Sequence, residues 1–588
     1  MPPDDWISAR NAPVDLSVDA VYKRGRSPNV KAEFLAPWLS DLLTRARNSM
    51  VRRLCVFIGL LTLIAGAGER SASAQSVDAR KALEASAKAM GADKLKTIQI
   101  TASGWSSLIG QTYGLAEDWP HYEVADYTRA IDYDAKWSRE DYTRRQGKYP
   151  NLGRTPMPEL HVTSILSGNY AWDMQGDKPV PLTQLYLGGV AYSDLRQLEL
   201  VLTPHGFLKA ALAATDAKAI SLPIIGASDF GLSQFGRKVT VVTFTMGKYR
   251  VNGTINDQNL VELVDTWFPN PVYGDMDYET RYTKYKDFGG VMFPQLLHVH
   301  QGDPRLNPAH NYYEYNVTDV KVNVPVTTMP VPDAVRTAKP DEVKVESQKL
   351  ADGVWLLGGG AYNSVLVEFS DFVAVVEAPL NEARSLAVIA EVNRLVPNKN
   401  IRYVINTHRH MDHAGGLRTY VSQGTTVVTH ETNKPYYLDI MLYPAPRELN
   451  PDRMALFSPM YMISRRPAPI DTVGGDTRGE GKYTVTDGSH VMEILHVQDM
   501  GYELGDTSYN QGNHSNDMLM AYLPKEKILI NADLYSPPDS GASAPAVTPA
   551  MRTLYQNMRK LKLDVAQHVP IHGHVGTNDE FLKIIGKS

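Results

Sequence analysis

Ten residues in the second half of the chain restrict its fold more than any other segment. Residues 407–416 read Thr-His-Arg-His-Met-Asp-His-Ala-Gly-Gly, and they follow an apolar, β-branched run at 401–406 that predicts a buried strand. A lone His-x-His pair would favour a polar turn with solvated histidines, whereas this fuller pattern favours metal binding. A tight turn at the end of the strand can direct four side chains at two cations: His408 and His410 at the first, Asp412 and His413 at the second.

The donor types limit the choice of metal. Histidine nitrogen and aspartate oxygen suit zinc, and they also suit iron or manganese. Gly415 and Gly416 let the chain turn closely after the last histidine and enter a helix that carries Leu417 and Tyr420. The segment is therefore predicted to be a metal-binding turn between a strand and a helix.

This His-x-His-x-Asp-His pattern, after an apolar strand and before Gly-Gly, resembles the signature of the metallo-β-lactamase superfamily. The resemblance covers about residues 350–588 and none of the first half of the chain. It implies an αββα sandwich, in which two sheets pack face to face with helices outside. The predicted fold class is α+β, with this C-terminal sandwich preceded by a mostly antiparallel β-sheet domain.

The same resemblance implies a complete ligand set for two zinc ions per chain, with iron or manganese as alternatives. Three later residues follow or precede predicted strands in the expected order. The implied assignment is His408, His410 and His514 for the first metal, Asp412, His413 and His572 for the second, and Asp533 between them.

Three other residues near this predicted centre leave alternatives open. Glu377, in Glu-Ala-Pro, stands where relatives often have Asp-x-Gly, so the orienting role of that carboxylate is undecided. Tyr535 could donate to an oxyanion, as a tyrosine there does in lactonase-like relatives, or it could be a packing residue. His574 could support the centre or lie at the surface.

The N-terminal region contains a pattern typical of export. Two arginines at 52 and 53 precede an apolar run at 54–67 and a small-residue cleavage site at 72–74. Residues 50–74 are therefore predicted to be a signal peptide that sends the protein to the periplasm or outside the cell, with no stable membrane anchor after its removal. Residues 1–49 are predicted to be an unstructured extension that arises from an upstream start codon.

Composition excludes some classes of function. The formal charge of −5 is spread along the chain without a basic block, so no nucleic-acid partner is expected. The single cysteine, Cys55, would leave with the signal peptide, so the mature chain would offer no thiolate ligand. This excludes the β-lactamase subclass that needs a cysteine in its second metal site.

A chain of 588 residues is too long for one ordinary core, so several domains are expected. Alternating strands predict an antiparallel domain over 76–322, a Pro- and Val-rich linker over 323–341, and the sandwich over 342–588 with an insertion at 436–481 that forms a lid or substrate wall. Within the antiparallel domain, His298 and His300 share one strand face. They could hold a metal, but a solvated sheet face is the more frequent arrangement.

The predicted function is hydrolysis of a small-molecule substrate by a metal-activated hydroxide. Two divalent ions about 3.5–4 Å apart lower the pKa of a bridging water toward about 7. The leading hypothesis is cleavage of an ester, lactone or amide, including β-lactams, with Asp412 and Tyr535 as candidate catalytic residues. One alternative is a phosphoester or sulfate-ester hydrolase that uses Arg465 and Arg466, and another is a carrier protein that binds its ligand in the N-terminal sheet domain.

Overall fold

The structure is a computed structural model that describes residues 74–115, 117–147, 159–223, 237–302, 310–442, 447–457, 469–474, 481–499, 513–539 and 541–587. All of these residues lie in one unit, Ala74–Ser588. The predicted extension at 1–49, the predicted signal peptide up to residue 73, and Arg465 and Arg466 lie outside the described residues.

The N-terminal half is built on a sheet of fourteen strands, every neighbouring pair of which is antiparallel. Its order is β1-β10-β11-β12-β13-β14-β15-β16-β2-β3-β4-β5-β6-β7, and β8 and β9 form a separate hairpin. The strands are β1 Gln75–Val77, β2 Thr97–Ser107, β3 His121–Asp132, β4 Trp137–Gln146, β5 Leu160–Ser167, β6 Tyr170–Gln175, β7 Lys178–Pro181, β8 Leu185–Tyr186, β9 Val190–Ala191, β10 Lys218–Pro223, β11 Lys238–Met246, β12 Tyr249–Ile255, β13 Val261–Asn270, β14 Gly274–Asp287, β15 Met292–Gly302 and β16 Asn311–Val322.

Three helices cover part of this sheet: α1 Ala79–Met90, α2 Tyr192–Val201 and α3 Pro204–Ala213. The side chain of Asp78 caps α1 by accepting from the backbone N–H of Lys81. Thr203 caps α3 in the same way. Pro204 lies in the first turn of α3, where a backbone N–H has no partner within the helix, so the absence of this group in proline carries no energetic cost. The apolar side chains of α1 and α3 pack in one cluster with those of β11 to β13, so the sheet gains its core on this face.

The predicted linker packs against the sheet domain. It contains one short helix, α4 Asp333–Arg336, whose Val335 is buried in a cluster with Trp137 and Trp172. Burying apolar residues on the two indoles removes them from water, which holds this extended segment against the outer strands of the sheet.

Two further sheets form the C-terminal region. The first has the order β17 to β23; its first four strands pair antiparallel, and β20 to β23 pair parallel. The second has the order β24 to β29, with one parallel pair, β27 with β28. The strands are β17 Glu346–Ala351, β18 Val354–Gly358, β19 Ser364–Glu368, β20 Phe372–Val376, β21 Asn400–Ile405, β22 Thr426–His430, β23 Ile470–Val473, β24 Lys482–Thr486, β25 Val491–His496, β26 Leu519–Leu523, β27 Ile528–Asn531, β28 Gln567–Pro570 and β29 Gly576–Thr577.

A buried cluster of aliphatic side chains from both sheets lies between them. Helices cover the outer faces, with Val388 and Leu417 packed beside the first sheet and Leu554 and Phe581 beside the second. The helices are α5 Glu382–Leu395, α6 Met411–Ala414, α7 Leu417–Val421, α8 Asn433–Tyr436, a π-helical turn Tyr437–Met441, α9 Arg453–Phe457, α10 Pro549–Lys560 and α11 Asn578–Ile584.

This arrangement confirms the predicted fold class, a helix-flanked sandwich of two sheets that follows a large antiparallel sheet. None of the described helices is long and apolar enough to cross a membrane.

Candidate metal centre

Strand direction brings four separate parts of the chain to one edge of the sandwich. The turn at 407–416 leaves the end of β21. Asp533 follows β27 and His572 follows β28, and these two strands are parallel, so their ends lie at the same edge. His514 precedes β26, which runs antiparallel to β27, and the beginning of β26 therefore lies at that edge too.

Three imidazoles and a carboxylate form the first cluster. The Nδ1 atom of His410 lies 3.0 Å from Nε2 of His408 and 2.9 Å from Nε2 of His514. The Oδ2 atom of Asp533 lies 3.4 Å from His408 Nε2 and 3.1 Å from His514 Nε2. The cluster offers one ligand atom from each of the four residues within a few ångströms, which is the spacing that a single cation requires.

A second cluster contains Asp412, His413 and His572. The Nε2 atoms of His413 and His572 are 3.2 Å apart, and Asp412 Oδ2 lies 3.4 Å from His413 Nε2. The two oxygens of Asp533 reach this cluster as well, with Oδ2 3.1 Å from His413 and Oδ1 3.1 Å from His572. Asp533 therefore lies between the clusters and can contact a cation in each.

In four of these histidines, the outer ring nitrogen, which is the one that points away from the clusters, faces a hydrogen-bond acceptor. The ring of His410 donates to the carbonyl oxygen of Thr112, at 2.9 Å, and His572 donates to a backbone carbonyl at 3.2 Å. His413 Nδ1 lies 3.1 Å from Glu377 Oε2, and His408 Nδ1 lies 3.1 Å from the Thr407 hydroxyl. A proton on each outer nitrogen leaves the inner nitrogen with a free lone pair, as metal-binding histidines require.

The ligand atoms of the two clusters suit divalent metal ions, because without a positive charge among them they repel one another. Lone pairs of neutral imidazoles at about 3 Å repel unless a cation or a proton lies between them. Asp533 adopts a left-handed backbone conformation, with φ +57°, which an aspartate keeps only when its surroundings stabilise it. We interpret this conformation as the result of placing the carboxylate between the two clusters.

Burial and neighbouring charges also shift the pKa values of the residues in the centre. Burial alone would lower the pKa of His413, but Asp533 and Asp412 hold it well above its ordinary value. Burial opposes the ionisation of Asp533, yet His413 and His514 hold its pKa well below the usual range. A bound proton on His413 thus balances the carboxylates, and a cation that binds there has to displace it.

Residues 357–565 match the family model described as the metallo-beta-lactamase superfamily. This region belongs to the metallo-beta-lactamase superfamily. The match confirms the resemblance predicted from the 407–416 segment.

Solved metallo-beta-lactamases are similar to about two fifths of the chain. FIM-1 from Pseudomonas aeruginosa, in its mono-zinc form, is 20% identical; the match covers 42% of this chain and 97% of that one, with a TM-score of 0.29. The enzyme from Hirschia baltica is 19% identical, with 42% and 97% covered and a TM-score of 0.27. The enzyme from Pontibacter korlensis is 16% identical, with 42% and 98% covered and a TM-score of 0.29. Among curated proteins, no match was found.

Glu377 and His574, whose roles the sequence leaves undecided, have defined positions in this superfamily domain. Glu377 is buried, and its Oε2 atom accepts hydrogen bonds from the hydroxyl of Thr407 and from His413 Nδ1. It therefore orients both side chains. The side chain of His574 is 49% exposed and lies 3.9 Å from the exposed Asp539, outside both clusters.

Tyr535 is not placed in the metal centre, which corrects the prediction of a catalytic role. Its ring is buried against His568 and Phe581, in the core beneath α10 and α11. The left-handed turn at Asp533 redirects the chain, so the side chain two residues later points into the helix layer. A different tyrosine, Tyr362, lies at the centre and donates its hydroxyl to Asp412 Oδ2 at 3.0 Å.

The antiparallel sheet domain also contributes to the centre of the superfamily domain. Gln111, in the segment between β2 and β3, donates from Nε2 to Asp412 Oδ1 at 2.7 Å. The next residue, Thr112, supplies the carbonyl that accepts from His410. A Cβ at Gly110 would collide with the side chain of Met411, so glycine is needed where this segment meets the ligand turn.

These contributions were not predicted from the sequence. Gln111 is 301 residues from Asp412 along the chain, and a single glutamine in an irregular segment carries no recognisable pattern. Tyr362, between β18 and β19, likewise belongs to no motif. A signal existed only for Gly110, because a glycine in a loop can mark a close approach of backbone to another surface.

A cavity near this segment has a volume of about 500 Å³. Gly110 and Thr112 line it on one side and Arg409 and Tyr436 on another, but none of the seven cluster residues does. The cavity therefore adjoins the ligand turn at Arg409. Tyr436 places the start of the predicted lid at this cavity, while residues 443–446, 458–468 and 475–480 of the lid lie outside the described part of the chain.

Replacing Gln111 by alanine should weaken the second cluster without unfolding the protein. The substitution removes one of two hydrogen bonds that orient Asp412, and loss of such a supporting group costs about 10- to 100-fold in metal affinity or activity. Metal titration of the chelator-stripped protein measures the effect. Gln175→Ala, at an exposed glutamine at the end of β6, is the matched control and should change nothing. Equal affinities in the two variants would contradict a role for Gln111.

Proposed function

We propose that the protein is a dinuclear zinc hydrolase. The observation that carries the proposal is the pair of clusters joined by Asp533, in which imidazole nitrogens face one another and four of the outer nitrogens meet acceptors. Five histidines and two aspartates match the preference of zinc for nitrogen and oxygen ligands. In this proposal His408, His410 and His514 would hold one ion, Asp412, His413 and His572 would hold the other, and Asp533 could contact both.

The chemistry follows from the charges of the site. Two divalent cations bound there supply Lewis acidity and lower the pKa of a water molecule toward about 7. The two aspartates neutralise half of the charge of the cations, so the site favours an oxygen that gains negative charge in the transition state. Asp412, held by Gln111 and Tyr362, is placed to orient the attacking water and to pass its proton to the leaving group.

Tyr362 replaces Tyr535 as the candidate hydroxyl donor. Burial and the neighbouring Asp412 raise the pKa of Tyr362, so its hydroxyl stays protonated at neutral pH. A protonated phenol beside the second cluster can turn its one hydrogen from Asp412 to a substrate oxygen. We assign it that role in the proposed reaction.

The substrate class we propose is an uncharged or weakly anionic ester, lactone or amide, including β-lactams. Arg409, the guanidinium within the ligand turn, points away from the clusters and is paired with Asp517 at 2.7 Å. Its charge is therefore already balanced by a carboxylate, which argues against its use in binding phosphate or sulfate. Phosphoester hydrolysis would require a cation from elsewhere in the chain.

We also propose that the protein acts after export to the periplasm or outside the cell. The support is the order of basic, apolar and small residues over 50–74 in the sequence. An exported hydrolase without thiols would keep its ligand set under oxidising conditions, because histidine and aspartate ligands do not form disulfides.

A chelation experiment tests the proposed reaction. The protein should hydrolyse members of a panel of lactones, cephalosporins and aryl esters, lose this activity after chelation, and recover it with Zn²⁺ at two equivalents per chain. Phosphodiesters in the same panel test the alternative substrate class. Turnover that survives complete metal removal would contradict the proposal, as would one equivalent of iron accompanied by oxygen consumption.

A further inference from the structure

A second group of histidines lies in the antiparallel sheet domain, outside the centre described above. His298 and His300 are on β15 and point to the same face of the sheet. Register places Glu314 of β16 opposite His298 and Glu279 of β14 opposite His300. The sheet therefore brings two imidazoles and two carboxylates together from three adjacent strands.

The two imidazoles face each other through the same ring nitrogen. Their Nε2 atoms are 3.0 Å apart, while His298 Nδ1 lies 2.9 Å from Glu314 Oε2 and His300 Nδ1 lies 3.0 Å from Glu279 Oε1. Because a carboxylate is an acceptor, each Nδ1 carries the proton. Both Nε2 atoms then present lone pairs toward the same point, and each imidazole is backed by a carboxylate in the way that metal-binding histidines usually are.

A third acceptor points at the same place. The side-chain Oδ1 of Asn311 lies 3.0 Å from His298 Nε2. The orientation of this amide is determined by its other end, since Nδ2 donates to Asp118 Oδ2 at 2.6 Å. Three acceptor atoms thus lie close together, and a positive charge is needed to stabilise the arrangement.

The pair has the geometry of the histidines in the proposed zinc centre. The rings of His298 and His300 have centroids 4.6 Å apart at an interplanar angle of 78°, and those of His408 and His410 are 4.5 Å apart at 76°. The nitrogen–nitrogen separation is 3.0 Å in both pairs. Two ligands of one tetrahedral zinc ion, each about 2.1 Å from the metal, are themselves roughly 3.4 Å apart, close to this value.

A proton shared between the two Nε2 atoms is the competing explanation, and zinc binding distinguishes the two. Within the described part of the chain, Arg281 is paired with Glu279, while His121 and His310 lie 3.7 and 3.9 Å from Asp118. Together with Glu314, these carboxylates give the surroundings of the pair a negative charge that suits a divalent ion. The side chains of His298 and His300 are 27% and 13% exposed, so an ion can reach them from solvent.

We propose that His298 Nε2, His300 Nε2 and Asn311 Oδ1 bind one divalent transition-metal ion, with zinc as the favoured metal and water in the remaining position. Two imidazole nitrogens select zinc over magnesium or calcium, which prefer oxygen ligands. The ion ties β15 to the beginning of β16, and through Asp118 to the segment that precedes β3. This site is separate from the proposed hydrolytic centre and does not depend on it.

Zinc titration of the full-length protein tests the proposal. After chelation, the wild-type protein should bind one equivalent of Zn²⁺ more than His298→Ala or His300→Ala. The same deficit of one equivalent should appear when His410 is also replaced by alanine, which separates this site from the hydrolytic centre. His161→Ala, at an exposed histidine on β5 of the same sheet, is the matched control and should bind as much zinc as the wild type.

Two further measurements remain informative if an alanine variant does not fold. Glu314→Gln keeps a hydrogen-bonding side chain behind His298, and it should weaken zinc binding at this site by about 10- to 100-fold. Wild-type crystals grown with Zn²⁺ should show an anomalous peak at the zinc edge, about 2 Å from both Nε2 atoms. Unchanged stoichiometry in the folded variants, or no peak between the two rings, would overturn the proposal in favour of a protonated histidine pair.

Discussion

Replacing His410 by alanine should reduce hydrolytic turnover by on the order of a thousand-fold or more, well beyond the 10- to 100-fold cost of removing a supporting residue. The Nδ1 atom of His410 lies between His408 and His514, so its loss removes the central nitrogen of the first cluster. It also leaves the carbonyl of Thr112 without its imidazole donor. Steady-state kinetics and metal analysis of the purified variant measure both consequences.

His574→Ala provides the matched comparison. This imidazole lies two residues after His572, but it is half exposed and outside both clusters. Its removal should leave metal content unchanged and lower activity far less than the loss of His410. Equal losses in the two variants would mean that the last strand contributes a different histidine to the centre.

Replacing Asp517 by asparagine should destabilise the protein by about 3–5 kcal/mol, because it leaves a buried guanidinium without its counter-charge. Asp517 is fully buried and accepts from the backbone and the guanidinium of Arg409, at 2.8 and 2.7 Å. It also accepts from Asn433 at 2.6 Å and from the hydroxyl of Ser515. Urea unfolding, followed by tryptophan fluorescence, measures the difference in the free energy of unfolding.

The same ion pair gives the protein a defined sensitivity to acid. Burial alone would raise the pKa of Asp517, but Arg409 and the other donors lower it to about 2, below its ordinary value of 3.8. The native state therefore binds this proton less readily than the unfolded state does. Its contribution to stability is complete above the unfolded pKa and disappears as the pH falls toward about 2.

Asp371→Asn is the control for both measurements, since Asp371 is an exposed aspartate between β19 and β20. It should leave the free energy of unfolding within about 0.5 kcal/mol of the wild type. If Asp517→Asn were equally mild, the Arg409 guanidinium would have to be neutralised by another group, and the ligand turn would not depend on this ion pair.

The hydrolytic centre could be anticipated from the sequence wherever its residues follow a strand closely. The turn after β21 contains four of the seven cluster residues within six positions, so local spacing alone brought them together. His514, Asp533 and His572 were placed only by resemblance to a known family. The structure brings these three to the turn because the ends of β27 and β28 and the beginning of β26 lie at one edge.

Side-chain direction beyond a strand end was not predictable. Tyr535 follows Asp533 by two residues, and in an extended chain both side chains would point to the same side. The positive φ at Asp533 breaks that alternation, so Tyr535 enters the core instead. Tyr362 occupies the position near Asp412, and no periodicity or motif marks it.

The sheet register around His298 and His300 was not predictable from the sequence either. The sequence places both histidines on one face but says nothing about what stands opposite them. Only the pairing of β14, β15 and β16 shows that each imidazole meets a carboxylate. The prediction of a solvated face is therefore replaced by a partly buried cluster with converging acceptors.

Contact between the segment around Gly110 and the turn around Met411 makes the two halves of this protein interdependent. A fragment that starts at residue 342 would retain all seven residues of the two clusters, yet it would lack Gln111 beside Asp412 and the carbonyl that sets the tautomer of His410. Truncation would therefore produce a stand-alone sandwich with a loosened centre. Evolution of the hydrolytic half is accordingly constrained by its upstream neighbour, even though none of the seven cluster residues comes from there.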